Sequence, residues 1–206
     1  MLRGEVPSRK LVVLSFVSLD GIMQGPGGPK EDTSGGFKHG GWTVPYFDES
    51  LGKVMGEQMG RPFDLLLGRT TYQLFASYWP QQKGEMGSGI NNATKYVVTR
   101  RPLKLDWKTT VPIRRNVVKE IQKLKSQDGP ELQVHGSGNL VQTLLKHDLV
   151  DEFWLKMFPV TLGRGKRLFA EGTIPAAFTL SDAKILANGV ITANYNRSGP
   201  VKTGSF

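Results

Sequence analysis

The sequence predicts an α/β protein: a single mixed, mainly parallel sheet flanked by helices and closed by a C-terminal antiparallel hairpin. Three observations predict it. Between Lys10 and Lys146, short β-favouring apolar runs alternate with segments whose apolar residues recur at helical spacing. After Asp151 the helical pattern stops and strands follow one another. Asn188-Gly189, between two of those strands, is a turn pair suited to a tight hairpin.

Taken in order, residues 1–8 read as a loose arm, and Lys10 to Val17 as a buried strand that leaves through Ser18-Leu19-Asp20-Gly21. Gly25 to Gly41 is dense in Gly, Pro and charge and reads as a long surface loop, a length that in compact domains usually serves function. Pro45 is expected to open a helix to Met59, with Phe47, Leu51, Val54, Met55 and Met59 on its apolar face. Phe63 to Leu67 is a short buried strand; Gly68-Arg69-Thr70-Thr71 follows, then a helix to Tyr78 stopped by Trp79-Pro80. Gln81 to Asn92 reads as a polar, glycine-bearing loop.

Lys95 to Thr99 is a strand ending in Arg100-Arg101-Pro102, and a weaker strand around Thr109 to Pro112 precedes a helix over Val117 to Lys125. Leu132 to His135 is a strand running into Gly136-Ser137-Gly138, after which Leu140 to Lys146 is helical, with Leu140, Val141, Leu144 and Leu145 on one face. Asp151 to Val160 is a long strand and Leu162 to Phe169 a loop. Phe178 to Leu186 and Val190 to Tyr195 form the closing hairpin. The domain is expected to span residues 9–197, with residues 198–206 as a flexible tail.

Composition narrows the function. Twenty-seven Lys and Arg against 18 Asp and Glu give +9, enough to raise nucleic acid as a partner. The basic residues are scattered, however, without an aromatic RNA-reading strand or zinc spacing. An anionic small ligand accounts for the cations as well, so nucleic acid is not favoured. There is no cysteine, which excludes thiolate chemistry. His39, His135 and His147 lack metal-ligand spacing, so no metal is expected. No apolar run reaches membrane-spanning length and no signal-peptide core is visible, which points to a cytoplasmic protein without a membrane partner.

Three strand ends carry the chemistry. Gly68-Arg69-Thr70-Thr71, Thr99-Arg100-Arg101 and Gly136-Ser137-Gly138 each offer backbone or hydroxyl donors, and two add arginine. A strand feeding a helix through glycines aims backbone N–H groups at the positive end of a helix dipole, a geometry that holds phosphate. In open α/β sheets, turns at the carboxyl ends of parallel strands converge on one site. A dinucleotide with an extra phosphate fits that combination. The Rossmann pattern itself is not met, because Val141 stands where its last glycine belongs.

With these motifs in place, the chain resembles the dihydrofolate reductase-like family, in the branch of the riboflavin-biosynthesis reductase (the RibD C-terminal domain type) and its stand-alone relatives. The resemblance covers about residues 9–197. It rests on SLDG at 18–21, LLLGRTTY at 65–72, VVTR at 97–100, HGSGNL at 135–140 and TLGRGKRLF at 161–169. It implies an NADPH site: Gly68, Arg69, Thr70 and Thr71 beside the phosphates, Thr99 and Arg100 facing the adenosine 2′-phosphate, and Gly136, Ser137, Gly138 and Asn139 cradling the pyrophosphate. Leu162 and Gly163 would lie near the nicotinamide. A homodimer is also what the resemblance implies.

The substrate half departs from the family pattern. The acid expected after a W-x-x-P segment falls one position late, at Asp48 behind Trp42-Thr43-Val44-Pro45. Asp48 and Asp20 are the two candidate proton donors. Asp48 is equally a first-turn acid favouring the helix dipole, and Asp20 equally a turn aspartate bonding its own backbone. The expected activity is reduction of a planar C=N or C=O group in a pterin- or pyrimidine-like small molecule, as in the phosphoribosylaminouracil reductase of riboflavin biosynthesis. The alternative is a non-catalytic nucleotide- or nucleic-acid-binding module.

Overall fold

The computed structural model of the chain describes residues 8–205. Eight strands form one sheet in the order β4-β3-β2-β5-β1-β6-β8-β7. They are β1 (Leu11–Ser18), β2 (Phe63–Gly68), β3 (Lys95–Val98), β4 (Thr110–Ile113), β5 (Glu131–His135), β6 (Glu152–Phe158), β7 (Ala177–Ile185) and β8 (Ile191–Gly199). Neighbours from β4 to β6 pair in parallel, while β8 runs antiparallel to both β6 and β7. This is the mixed, mainly parallel sheet with an antiparallel end that the alternating pattern predicts.

Five helices cover it: α1 (Glu49–Met59), α2 (Arg69–Tyr78), α3 (Glu85–Asn92), α4 (Val117–Lys125) and α5 (Gly138–Lys146). The period-two alternation of the strands sorts them onto two faces. Leu66, Leu11, Val13, Leu132 and Val134 pack with Ile121 of α4 and Leu140, Val141 and Leu144 of α5. Leu65 and Leu67 point the other way and pack with Met59, Tyr72 and Ile90, one from each of α1, α2 and α3. Further along that second face, Leu51 of α1 joins an aromatic group of Trp42 and Phe158. The first face is nearly continuous apolar surface, whereas the second is interrupted by the buried polar residues Lys95, Gln133 and Lys156.

Several boundaries differ from expectation, each for a local reason. Pro45 does not open α1: it sits in a single 3-10 turn over Val44–Tyr46, and Phe47 and Asp48 are extended. The helix starts at Glu49 because Asp48 accepts a hydrogen bond from the Leu51 N–H and so caps it. The glycine-bearing stretch after Gln81 contains a helix, α3, rather than being loop throughout. Gly87 is there for packing, since a Cβ on it would come 2.7 Å from the Gln82 carbonyl oxygen. Ile90 is fully buried on its inner side. Helix α5 begins at Gly138, two residues before the expected start.

The long segment from Gly25 to Gly41 is tied down. The Gln24 amide donates to the Asp32 and Ser34 carbonyls, and the Trp42 indole N–H donates to the Gln24 carbonyl. Lys166 pairs with Asp32 at 2.6 Å. The last strand continues to Gly199, so Ser198 and Gly199 belong to the sheet. Of the arm expected over residues 1–8, residues 1–7 lie outside the described residues. Among the described residues no helix is long and apolar enough to cross a membrane, and no group of three metal-ligating side chains occurs.

Candidate active site

Because β1, β2, β3, β5 and β6 are parallel, the turns that leave them all emerge along one edge of the sheet. Two of these turns are joined directly. Gly68 is the N-cap of α2 and Ser137 the N-cap of α5, and the Ser137 hydroxyl accepts a hydrogen bond from the Gly68 N–H at 2.9 Å. The same hydroxyl shares a 2.5 Å hydrogen bond with the Thr71 hydroxyl. A Cβ on Gly68 would stand 2.6 Å from the Ser137 oxygen, so only glycine permits the approach. Ser137 itself is held at φ 70, the left-handed region, which turns its side chain toward β2.

The positive ends of two helix dipoles therefore meet at one place. Gly136, at φ 80, has nothing within 4 Å of where a side chain would be, so space lies open above the turn. Around Gly138 the nearest atom is the Lys166 Cδ at 3.7 Å. Asn139 is exposed in the first turn of α5. On the other side, Arg69 and Thr70 begin α2, and the Arg69 guanidinium donates to the Pro102 carbonyl at 3.0 Å. Thr99 is buried with its hydroxyl donating to the Arg101 carbonyl, and Arg100 is exposed beside it. The three turns named from the sequence thus fall on neighbouring strands β3, β2 and β5, in one row.

Asp20 stands at the end of β1 but does not reach into open space. Its carboxylate accepts from the Ser18 hydroxyl at 2.5 Å and from the Leu162 and Gly163 N–H groups at 3.1 and 2.7 Å. Those bonds, the Ser18 hydroxyl foremost, hold its pKa below the usual carboxylate value. Asp20 is an anchor for the 160–167 loop, and the backbone donors of Leu162 and Gly163 are turned to it. Asp48 is likewise bound to its own helix, through the Leu51 N–H and the Ser50 hydroxyl, and its pKa is lowered first by the Leu51 bond. Both carboxylates stay ionised at neutral pH in the free chain, each held by backbone and hydroxyl donors. A general acid must hold its proton near the working pH.

The family model for the RibD C-terminal domain matches residues 9–192. The chain belongs to that family. Among curated relatives, the uncharacterized protein YyaP of Bacillus subtilis (strain 168) is 25% identical over 203 residues, covering 96% of this chain and 100% of that protein. Among solved structures, a pyrimidine reductase-like protein of Corynebacterium diphtheriae superposes with TM-score 0.63 at 13% identity, covering 92% of each chain. Dihydrofolate reductase from Enterococcus faecalis, complexed with NADP(H) and RAB-propyl, gives 0.59 at 14% identity and covers 91% of this chain and 96% of that one. The fold is therefore dihydrofolate reductase-like, with the sequence allegiance on the RibD side.

Against that fold, the sequence reading passed over one residue, Lys156. It is only 2% exposed on β6, opposite Phe16 of β1 and Thr192 of β8. Its ammonium donates to the Gln58 side-chain oxygen of α1, and among the described residues no carboxylate pairs with it. Burial draws its pKa down to about 7. A signal was available: in FWLKMF, Lys156 is in phase with Trp154 and Phe158, which face inward. A cavity of about 750 Å³ opens elsewhere, behind α2 between Gln73, Ser77, Leu103 and Trp107. Of its charged wall, Lys104 pairs with Asp106 at 2.6 Å and Lys108 donates to the Asn92 side-chain oxygen. The joined glycine turns identify the site better than volume does.

Proposed function

We propose that the protein is an NADPH-dependent reductase that passes hydride to a planar C=N or C=O group of a pterin- or pyrimidine-like small molecule. One observation carries the reading: two glycine turns on adjacent strands, fastened by Ser137, bring two helix N-termini to one point with open space above Gly136. Such a point favours a pyrophosphate, with Gly136, Gly138, Asn139 and the first turn of α2 as its donors. Arg69, Thr99 and Arg100 extend the row toward β3, where a 2′-phosphate would meet arginine. Family membership and the fold of the solved reductases agree with this.

The reduced nicotinamide supplies the hydride when bound. The chain's own residues bind and orient. Asp20 holds the Leu162-Gly163 backbone in place at the end of β6, and Phe16 and Phe47, 5.8 Å apart and edge to face, border the side where a planar ring would lie. With Asp20 and Asp48 tied to backbone, the proton comes from solvent or from the substrate's surroundings. The rival reading is a nucleotide-binding module without catalysis; stable NADPH through single-turnover mixing with every planar heterocycle offered would favour it.

The test is a titration of NADPH and NADH, followed by fluorescence, against wild type and Arg100→Ala. NADPH is expected to bind more tightly to wild type, and the variant to lose about 1.5–3 kcal/mol for NADPH alone. Equal affinities in wild type sink the 2′-phosphate assignment. Gly138→Ala is the companion variant, because the backbone there has ordinary φ and room for a methyl. It should fold normally and still bind NADPH weakly.

A further inference from the structure

His135 is the last residue of β5 and leads directly into the Gly136 turn. Its ring is locked by a chain of hydrogen bonds running down the same face of the strand. His135 Nε2 lies 2.9 Å from the Gln133 side-chain oxygen. The Gln133 amide nitrogen in turn donates to the Gln58 backbone carbonyl of α1 at 3.2 Å and to a Glu131 carboxylate oxygen at 2.7 Å. Both of those atoms are acceptors only, so the amide cannot be flipped. Its oxygen therefore faces the imidazole, and His135 Nε2 must carry the hydrogen.

That leaves Nδ1 as the bare nitrogen of a neutral ring. The ring is kept neutral by burial and by the Lys156 ammonium on β6, which together push its pKa down to about 3. The groups that bear on it are thus Lys156 from β6, Glu131 through Gln133 on its own strand, Gln58 from α1, and Phe75 from α2, whose ring centroid is 5.9 Å away. Among the described residues no buried side-chain nitrogen or oxygen lacks a partner, and Nδ1 has none, so Nδ1 reaches solvent. The two ring nitrogens point in divergent directions. With Nε2 bonded to Gln133, two residues back on β5, the opposed Nδ1 points away from Gln133.

We propose that His135 is a specificity residue of the substrate side, its Nδ1 accepting a hydrogen bond from an N–H on the edge of a planar heterocycle. A lone pair beside the phosphate cradle repels phosphate oxygens and needs a donor, which the fully ionised pyrophosphate of a dinucleotide does not offer. The flank is aromatic: Phe75 packs on the ring, and half-buried Phe16 follows Leu14, the residue in register with His135, along the same face of β1. The ligand class is a ring with a lactam, imide or amino N–H, as opposed to one whose edge offers only carbonyls. This rests on the reductase reading for its site but not for its logic.

The test uses ring ¹⁵N NMR of the full chain, which has only three histidines, His39, His135 and His147. His135→Phe assigns the resonances by their loss. The free protein should show His135 with Nε2 protonated and Nδ1 bare from pH 5 to 8; a protonated Nδ1 overturns the proposal. Uracil and 1,3-dimethyluracil, the same ring with and without N–H, are then added in the presence of saturating NADPH. Uracil should shift Nδ1 and dimethyluracil should not. His135→Phe should weaken uracil binding about three- to tenfold, the worth of one neutral hydrogen bond. In His135→Asn the side-chain oxygen can stand in for Nδ1, so part of that binding should return.

Equal responses to the two rings, or none to either, overturn the proposal. So does a full Nδ1 shift from NADPH alone, which would give the acceptor to the cofactor's carboxamide. NADPH fluorescence on the same samples reads the reductase assignment separately: failure to bind NADPH by folded protein removes that reading whatever His135 does.

Discussion

At the scale of single residues, two side chains set opposite terms in the site's stability. Ser137 stabilises it: one hydroxyl satisfies the Gly68 N–H and engages Thr71. Ser137→Ala is expected to cost about 1–2 kcal/mol, because a backbone donor loses its partner. It should weaken NADPH binding as well, since the two turns are no longer held together. Chemical denaturation and a cofactor titration check the two effects. Lys156 opposes folding when charged. Its pKa falls from 10.5 in the unfolded chain to about 7 in the fold. Between those values the unfolded chain binds the extra proton, so stability rises with pH from about 7 to about 10.5, at up to about 1.4 kcal/mol per unit. Below pH 7 the full penalty applies. Lys156→Met should therefore raise the urea midpoint at pH 6.5 and flatten its rise toward pH 9. Lys95, drawn down to about 8 chiefly by burial, supplies the slope that survives. A variant less stable than wild type at pH 6.5 would show that the Gln58 hydrogen bond outweighs the buried charge.

At the scale of elements, the two aspartates can be told apart by what they hold. Asp48→Ala removes a helix cap and should cost about 1 kcal/mol without changing cofactor affinity. Asp20→Asn keeps the size but loses acceptor capacity toward two N–H groups and a hydroxyl. It should loosen the 160–167 loop, seen as faster hydrogen exchange at Leu162 and Gly163. Because its folded pKa is lowered, the stability Asp20 contributes is present above the ordinary carboxylate pKa and lost as pH falls through the folded value. The variant should accordingly lose part of the wild type's acid sensitivity; unchanged exchange at Gly163 would remove the anchor role. These elements also show what the sequence could carry. Strand positions and the row of turns were legible, because apolar alternation and glycine-flanked strand ends are local patterns. Helix α3 was not, because Gly87 and Gly89 read as loop, while the need for glycine at Gly87 is a close backbone approach to Gln82 that composition does not reveal. The roles of Asp20 and Ser137 depend on partners 142 and 69 residues away, which no spacing rule reaches.

At the scale of the whole molecule, the long Gly25–Gly41 segment and the 160–167 loop are fastened to each other. Gln24 accepts from the Lys166 N–H while donating into the segment, and Lys166 reaches across Gly138 to Asp32. Cofactor phosphates at that turn would compete with Asp32 for the same ammonium. NADPH is therefore expected to raise hydrogen exchange in residues 30–36 while lowering it at 136–140, and Asp32→Asn should reproduce the first change without ligand. Protection of both segments on binding would show that the ion pair persists.

The place of β5 has a consequence for how the chain is made. It lies between β1 and β2, yet it is the fifth strand of the sheet in chain order. Until residues 131–135 have been synthesised, β1 and β2 have no shared neighbour, and the largely apolar β1 has neither of its partners, since β6 comes later still. Before β5 is made, both edges of β1 and the inner edge of β2 are therefore unpaired, the condition that invites association with other chains. β1 cannot be enclosed in the sheet until both β5 and β6 have been made. The Gly136-Ser137-Gly138 turn, built on that late central strand, comes into being together with the sheet that supports it.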